Sequence, residues 1–147
     1  MIQRIQSIFL FLAAAASFGL WALPFASANS AGSETVLFSD GIYNIQDSIG
    51  MIIFFNAAGV LALLAIFMFN KRTLQMRLTI FAFIANLLGI VFGLIFFTQN
   101  SQDSISAANV SDGLGIYLPI LTIICTLLAY RYINKDEKLV KSMDRLR

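Results

Sequence analysis

The chain has 147 residues, of which 59% are hydrophobic and only 12% are charged, and its mean hydropathy is +0.80. Because a soluble domain carries about 25% charged residues, this composition argues against a soluble globular protein, and it is far too apolar for a disordered one. The formal net charge of +2 is too balanced for a nucleic-acid-binding protein. The chain has no histidine and one cysteine, Cys125, which excludes histidine-based catalysis, haem ligation by histidine and an internal disulfide.

Four apolar stretches are long enough to cross a membrane, for which a helix needs about 20 residues. None has a charged residue in its interior, and they cover residues 5–26, 49–69, 78–97 and 114–132. They predict an all-α integral membrane protein whose four transmembrane helices form an up-down bundle of two helical hairpins. Residues 1–147 are expected to form a single transmembrane domain, in which a short amphipathic helix occupies the tail, residues 133–147.

The positions of the basic residues predict the orientation of the spans. All ten Lys and Arg lie before the first span, between the second and third spans, or at and beyond the end of the fourth. The loops over residues 27–48 and 98–113 contain acidic residues and no basic ones. Since basic residues near span ends stay in the cytoplasm, both termini and the middle turn are expected inside, and both loops outside.

The first span also has the features of a secretory signal peptide. Arg4 precedes the apolar run, and Ala26-Ser27-Ala28 offers a small-residue cleavage site. The apolar run of about 20 residues is longer than the 7–15 residues of a typical signal-peptide core. We therefore expect this segment to be retained as a transmembrane helix.

Small residues recur at helical spacing in the second and third spans. Because apolar helices gain little from the hydrophobic effect in lipid, they associate through close packing of small residues. This pattern predicts helix packing at Ala58 and Ala62 in the second span, and at Ala85, Gly89 and Gly93 in the third. The alternative is that some of these residues form a docking face for another membrane protein.

Two asparagines, Asn56 and Asn86, lie inside the second and third spans. An amide surrounded by hydrocarbon gains from a hydrogen bond to a neighbouring helix. Because these two spans form a hairpin, the two side chains are expected at similar depth, where they could meet. The alternative is a site for a polar ligand or an ion.

The tail has the features of a separate amphipathic helix. Asn134 is a suitable N-cap, Glu137 stands three residues later as in a capping box, and Glu137 and Lys141 have the spacing of a helical ion pair. Basic residues of the tail and of the middle turn are candidates for contact with lipid headgroups or with a cytoplasmic partner. They are Lys71, Arg72, Arg77, Lys138, Lys141, Arg145 and Arg147.

Three basic segments resemble one family of membrane proteins. The segments are Met1–Gln6, Lys71–Leu78 and Lys135–Arg147, and the family comprises small four-span inner-membrane proteins of Bacteroidota, catalogued as domain of unknown function 4293. The resemblance covers the whole chain and is most specific in the tail. It implies a multi-pass protein of the bacterial cytoplasmic membrane with its outer loops in the periplasm. It implies no activity, so it assigns no functional residue.

These observations favour a non-catalytic accessory or scaffold subunit, or an assembly factor, of a larger membrane complex. An enzyme is not expected, because no nucleophile is paired with a base and the spans carry no acid or base. No cofactor or metal is expected, and the expected partners are membrane lipids and a larger integral membrane protein. The alternatives are a small homo-oligomeric transporter and a membrane protein that binds a lipid or a quinone.

Overall fold

The computed structural model describes residues 3–28, 42–100 and 110–144, and it is dominated by α-helices. The helices are α1 (Gln3–Gly19), α2 (Ile49–Phe67), α3 (Arg72–Asn100) and α4 (Tyr117–Asp144). The prediction of a predominantly α-helical protein is therefore confirmed. By length and composition α2, α3 and α4 could each cross a membrane, whereas α1 contains a shorter apolar segment, Ile5–Gly19.

The first helix ends at Gly19, seven residues before the predicted end of the first span. Turn hydrogen bonds follow, from Trp21 N to the Phe18 carbonyl and from Ala22 N to the Gly19 carbonyl. Pro24 then prevents a return to helix, because proline has no backbone N–H to donate. The prediction of one helix up to residue 26 is wrong for this reason.

The fourth helix is continuous from Tyr117 to Asp144. The predicted break at Asn134 is therefore wrong, and this residue lies inside the helix rather than at its N-cap. The sequence after Arg131 has neither glycine nor proline to interrupt the backbone hydrogen bonds. The described part of the tail, residues 133–144, is thus a continuation of α4. Its predicted ion pair is confirmed, with Lys141 Nζ 2.8 Å from Glu137 Oε1.

A small antiparallel sheet joins three segments that the sequence analysis treated as loop or helix. The strands are β1 (Ala26–Ala28), β2 (Ile42–Tyr43) and β3 (Val110–Asp112), and β1 is the central strand. Ala26 is paired with Tyr43 on one side and with Asp112 on the other. The sheet therefore ties the end of the first helix to the segments that precede α2 and α4.

The helices pack side by side, with α2 against α1 and α3, and α4 against the same two helices. Large side chains fill the core beside the sheet, namely Leu20, Phe25, Tyr43, Ile45, Met51 and Phe55. The middle layer consists of small residues: Ala13, Ala14, Ala62, Ala82 and Cys125. A third layer, of Leu10, Ala65, Ala129 and Ile133, lies towards the turn between α2 and α3. We call the two extremes of the molecule the sheet end and the turn end.

Candidate functional site

The glycines of α3 lie directly against side chains of α2 and β2. A Cβ added at Gly89 would lie 2.9 Å from Cε1 of Phe55, and one added at Gly93 would lie 3.1 Å from Sδ of Met51. Both glycines thus make room for a large neighbour within the same chain. The small residues are used for internal packing at these positions, rather than left free as a docking face.

The predicted alanines are also buried. Ala58 is fully buried and Ala62 is 1% exposed, whereas Ala85 is 9% exposed. Two further glycines, not predicted from the sequence, have the same role. A Cβ at Gly50 would meet the ring of Phe92, and one at Gly59 would meet the ring of Phe18. These contacts join a glycine to an aromatic ring on another helix, which spacing within one helix does not reveal.

The two asparagines predicted inside the spans do not contact each other: Asn56 bonds to its own helix and to the turn after α1, and Asn86 bonds to α4. Asn56 donates to its own helix, at the Ile52 carbonyl (2.7 Å), and accepts from Nε1 of Trp21 (3.2 Å). Asn86 is fully buried and donates to the carbonyl of Pro119 in α4 (3.0 Å). Asn86 lies three residues further from the α2–α3 turn than Asn56 does, or about 4.5 Å along the helix axis. The two side chains also face different neighbours, Trp21 and Pro119, and the expected pairing between them does not form.

At the turn end, α4 meets the beginning of α3. Arg72 Nη1 donates to the carbonyl of Asp136 (3.2 Å), and Thr73 Oγ1 donates to Oε1 of Glu137 (3.5 Å). A shallow groove lies over this contact and is bordered by three cations, Lys71, Arg72 and Lys141, and by one carboxylate, Glu137, which is paired with Lys141. We call the three cations and the groove between them the basic surface.

Two other predicted basic residues, Arg77 and Lys138, do not border this groove. Arg77 and Lys138 are exposed elsewhere on α3 and α4. Arg145 and Arg147 lie outside the residues that the structure describes. The structure therefore brings together residues from the middle turn and from the tail, which are about 70 positions apart in the sequence.

A buried polar contact lies beside the basic surface. Gln6 Nε2 of α1 donates to Oδ2 of Asp136 of α4 at 2.8 Å, and these residues are 4% and 8% exposed. Asp136 is therefore a structural residue that joins α1 to α4, rather than a solvated residue near the start of a tail helix. Sequence reasoning missed this contact because 130 positions separate its partners.

The sheet end contains a different feature, an apolar cleft of about 360 Å³ beneath the strands. It lies between α2, α3 and α4, and the exposed side chains of Leu94, Ile116 and Ile120 border its mouth. The remaining lining is almost entirely apolar. It consists of Phe25, Ala26, Tyr43, Met51, Phe55, Gly89, Ile90, Gly93, Phe97, Pro119 and one acidic residue, Asp112.

The donors in and beside the cleft, the Tyr43 hydroxyl and the Asn86 amide, make internal hydrogen bonds. Tyr43 donates its hydroxyl to the Gly93 carbonyl at 2.8 Å. Burial, and secondarily the negative charge of Asp47, raise the pKa of the Tyr43 hydroxyl, so that it remains a protonated donor. The amide of Asn86, one turn below Gly89, donates to Pro119 on the opposite wall, while its Oδ1 has no hydrogen-bond partner.

Close backbone contacts hold the sheet over the cleft. Gly113 N donates to the Phe25 carbonyl (2.8 Å), and Gly115 N donates to the Pro24 carbonyl (2.9 Å). A Cβ at Gly115 would lie 2.6 Å from Pro24 O, and one at Gly113 would overlap the same atom. Only glycine allows the chain before α4 to approach the Pro24 carbonyl this closely.

Within residues 3–28, 42–100 and 110–144, no group of three or more His, Cys, Asp or Glu side chains is placed to hold a metal ion.

The family model described as Domain of unknown function (DUF4293) matches residues 2–146, and the chain belongs to this family. No curated protein and no solved structure matches the chain.

Proposed function

We propose that this DUF4293 protein is an integral protein of the bacterial cytoplasmic membrane that serves as a non-catalytic accessory or scaffold subunit of a larger membrane complex. The basic surface is the observation that carries this proposal. It joins two segments from distant parts of the chain at one end of the helices. Because Lys71 and Lys141 are exposed, they remain accessible to an acidic partner.

Insertion into a membrane is supported by the exposed surface of the helices. Large apolar side chains are exposed on every helix, as at Phe11 (60%), Ile53 (58%), Leu94 (60%) and Ile124 (50%). An apolar surface this extensive would aggregate in water and is stable against lipid. With 17 residues, α1 is about 25 Å long, and the turn after it extends the crossing towards the sheet.

The proposed orientation has the turn end in the cytoplasm and the sheet end in the periplasm. The basic residues of the middle turn and of α4 lie at the turn end, whereas Asp47 and Asp112 lie at the sheet end. This distribution agrees with the positive-inside rule and supports the proposal that both termini are cytoplasmic. The basic surface would then face cytoplasmic segments of other membrane proteins.

Charge reversal on the basic surface tests the subunit proposal. The protein would be purified from its native cells in mild detergent through a small tag, in the native form and as the double variant Lys71→Glu/Lys141→Glu. We expect one larger membrane protein to co-purify in stoichiometric amount with the native form and to be lost from the variant. The control is Lys138→Glu, which reverses an exposed charge of α4 outside the groove.

Two results would contradict the proposal. One is a monomer or a homo-oligomer without any stoichiometric partner. The other is a partner that both variants retain equally, since the basic surface would then not be the contact. Thermal unfolding of each variant in detergent would verify that a lost partner does not reflect a lost fold.

A further inference from the structure

We propose that the apolar cleft at the sheet end binds one hydrocarbon chain of a membrane phospholipid whose headgroup carries an ammonium group. This inference rests on the membrane insertion proposed above and is independent of the accessory role. It concerns a site of the outer leaflet, at the end of the molecule opposite the basic surface.

The position of the mouth favours a ligand that enters from the bilayer. The cleft opens between α3 and α4, where Leu94 and Ile120 are 60% and 49% exposed. The same faces of α3 and α4 continue as exposed apolar surface at Leu87 and Ile124. A lipid chain that lies along these helices can therefore enter the cleft without crossing a polar region.

The size of the cleft matches part of one chain. A dry cavity of about 150 Å³ accommodates one benzene molecule, so a cleft of about 360 Å³ has room for roughly a dozen carbon atoms. The lining residues of α3 extend from Gly89 to Phe97, which is about 12 Å along the helix axis. These dimensions favour a single extended chain over a folded or polycyclic ligand.

The donors beside the cleft argue against a quinone. A quinone carbonyl needs a hydrogen-bond donor, but among the residues that line the cleft the Tyr43 hydroxyl already donates to Gly93. The amide of Asn86, which donates to Pro119, is not part of the lining. A plain hydrocarbon chain requires no donor.

The negative charge at the opening of the cleft favours one kind of lipid headgroup. The carboxylate of Asp112 is exposed and borders the cleft beside Ile116. The two loops at this end of the chain contain no lysine or arginine that could attract an anionic headgroup. An ammonium group is attracted to Asp112, whereas a headgroup with only a phosphate is repelled by it.

Photo-crosslinking in lipid nanodiscs tests the binding site. The probes are phosphatidylethanolamine and phosphatidylglycerol with the same diazirine-bearing acyl chain, each in a background of a neutral glycolipid that carries neither an ammonium nor a phosphate group. We expect the ethanolamine probe to label peptides that contain residues 89–97 and 116–120. The variant Leu94→Trp/Ile120→Trp fills the mouth and should lower this labelling roughly tenfold, because it displaces two or more buried methylenes.

A matched control separates the cleft from the general lipid surface. Leu88→Trp/Leu121→Trp places the same two side chains on exposed positions of the same helices, outside the lining of the cleft and roughly 100° or more around each helix from Leu94 and Ile120, and should leave the labelling unchanged. Equal labelling in all three proteins, or label spread over the exposed apolar residues of every helix, would contradict the proposal that the cleft binds the lipid chain.

The headgroup is tested separately. We expect stronger labelling by the ethanolamine probe than by the glycerol probe, and we expect Asp112→Asn to remove this preference. Equal yields from the two probes in the native protein would overturn the headgroup assignment. Because these measurements use purified protein without a partner, a negative result is distinct from failure of the accessory-subunit proposal.

Discussion

Different kinds of contact stabilise the two ends of this molecule, the sheet end and the turn end. At the sheet end, backbone carbonyls of Pro24 and Phe25 accept hydrogen bonds from glycine N–H groups, and large apolar side chains surround a cleft. At the turn end, side chains make the contacts, through the buried Gln6–Asp136 hydrogen bond and the Glu137–Lys141 ion pair. The sheet end is therefore sensitive to added volume, and the turn end to lost polar partners.

The largest effect is expected at the close backbone contact of the sheet end. Gly113→Ala would force a Cβ into the Pro24 carbonyl, a backbone group that cannot move aside. We expect the free energy of unfolding to fall by about 3 kcal/mol or more, the upper range for overpacking. Thermal unfolding in detergent would measure it. The control is Gly19→Ala, whose Cβ would lie 3.3 Å from a flexible leucine methyl and should have little effect.

The next effect is expected where α3 packs on α2. Gly89→Leu should weaken the association of these helices by about 2 kcal/mol, because the Phe55 ring must move. Gly93→Leu should cost less, since its neighbour Met51 is a flexible side chain. The two variants would be ranked by the concentration of a denaturing detergent at which half of the protein unfolds. An unchanged stability of Gly89→Leu would refute the packing role of this glycine.

At the turn end, a smaller loss is expected from the buried polar pair. Gln6→Leu leaves the Asp136 carboxylate without this buried donor and should reduce stability by about 1.5 kcal/mol, the lower end of the range for hydrogen bonds to charged groups. The double variant Gln6→Leu/Asp136→Leu removes both partners and should be more stable than either single variant. Strict additivity of the two single losses would show that the residues do not interact.

The smallest effect is expected from the ion pair at the surface. Lys141 is 71% exposed, so Lys141→Ala should cost only about 0.3–0.5 kcal/mol, and less at high salt. Unfolding measured at two salt concentrations would test this. A loss of stability comparable to that of Gln6→Leu would contradict this prediction, because the exposed ion pair would then contribute as much stability as the buried hydrogen bond.

The sequence predicts the bounds of a helix well where hydrophobicity alone determines them. In α2 the uninterrupted apolar run places both ends within about two residues, because hydrocarbon favours internally hydrogen-bonded backbone. The end of α1 could not be placed, since Leu20 to Phe25 are as apolar as the helix before them. The strands escaped prediction because two or three residues are too few to show an alternating pattern.

The candidate sites were harder to predict from the sequence than the helices were. The basic residues of the turn and the tail were recognised by their charge, but their meeting depends on the continuation of α4 past Asn134. The sequence does not indicate the cleft, because phenylalanine and isoleucine are as common at lipid-facing positions of a membrane helix as at positions that line a cleft. The Gln6–Asp136 contact requires a register between the first and last helices that local patterns do not contain.

The unbroken course of α4 has a mechanical consequence. Its 28 residues form a rod about 42 Å long, which exceeds the roughly 30 Å of a bilayer's hydrocarbon layer. One end of this rod follows Gly113 and Gly115, which are bonded to the carbonyls over the cleft, and the other carries Glu137 and Lys141. Because α4 is unbroken between these two groups, a tilt of the helix at one end displaces its other end.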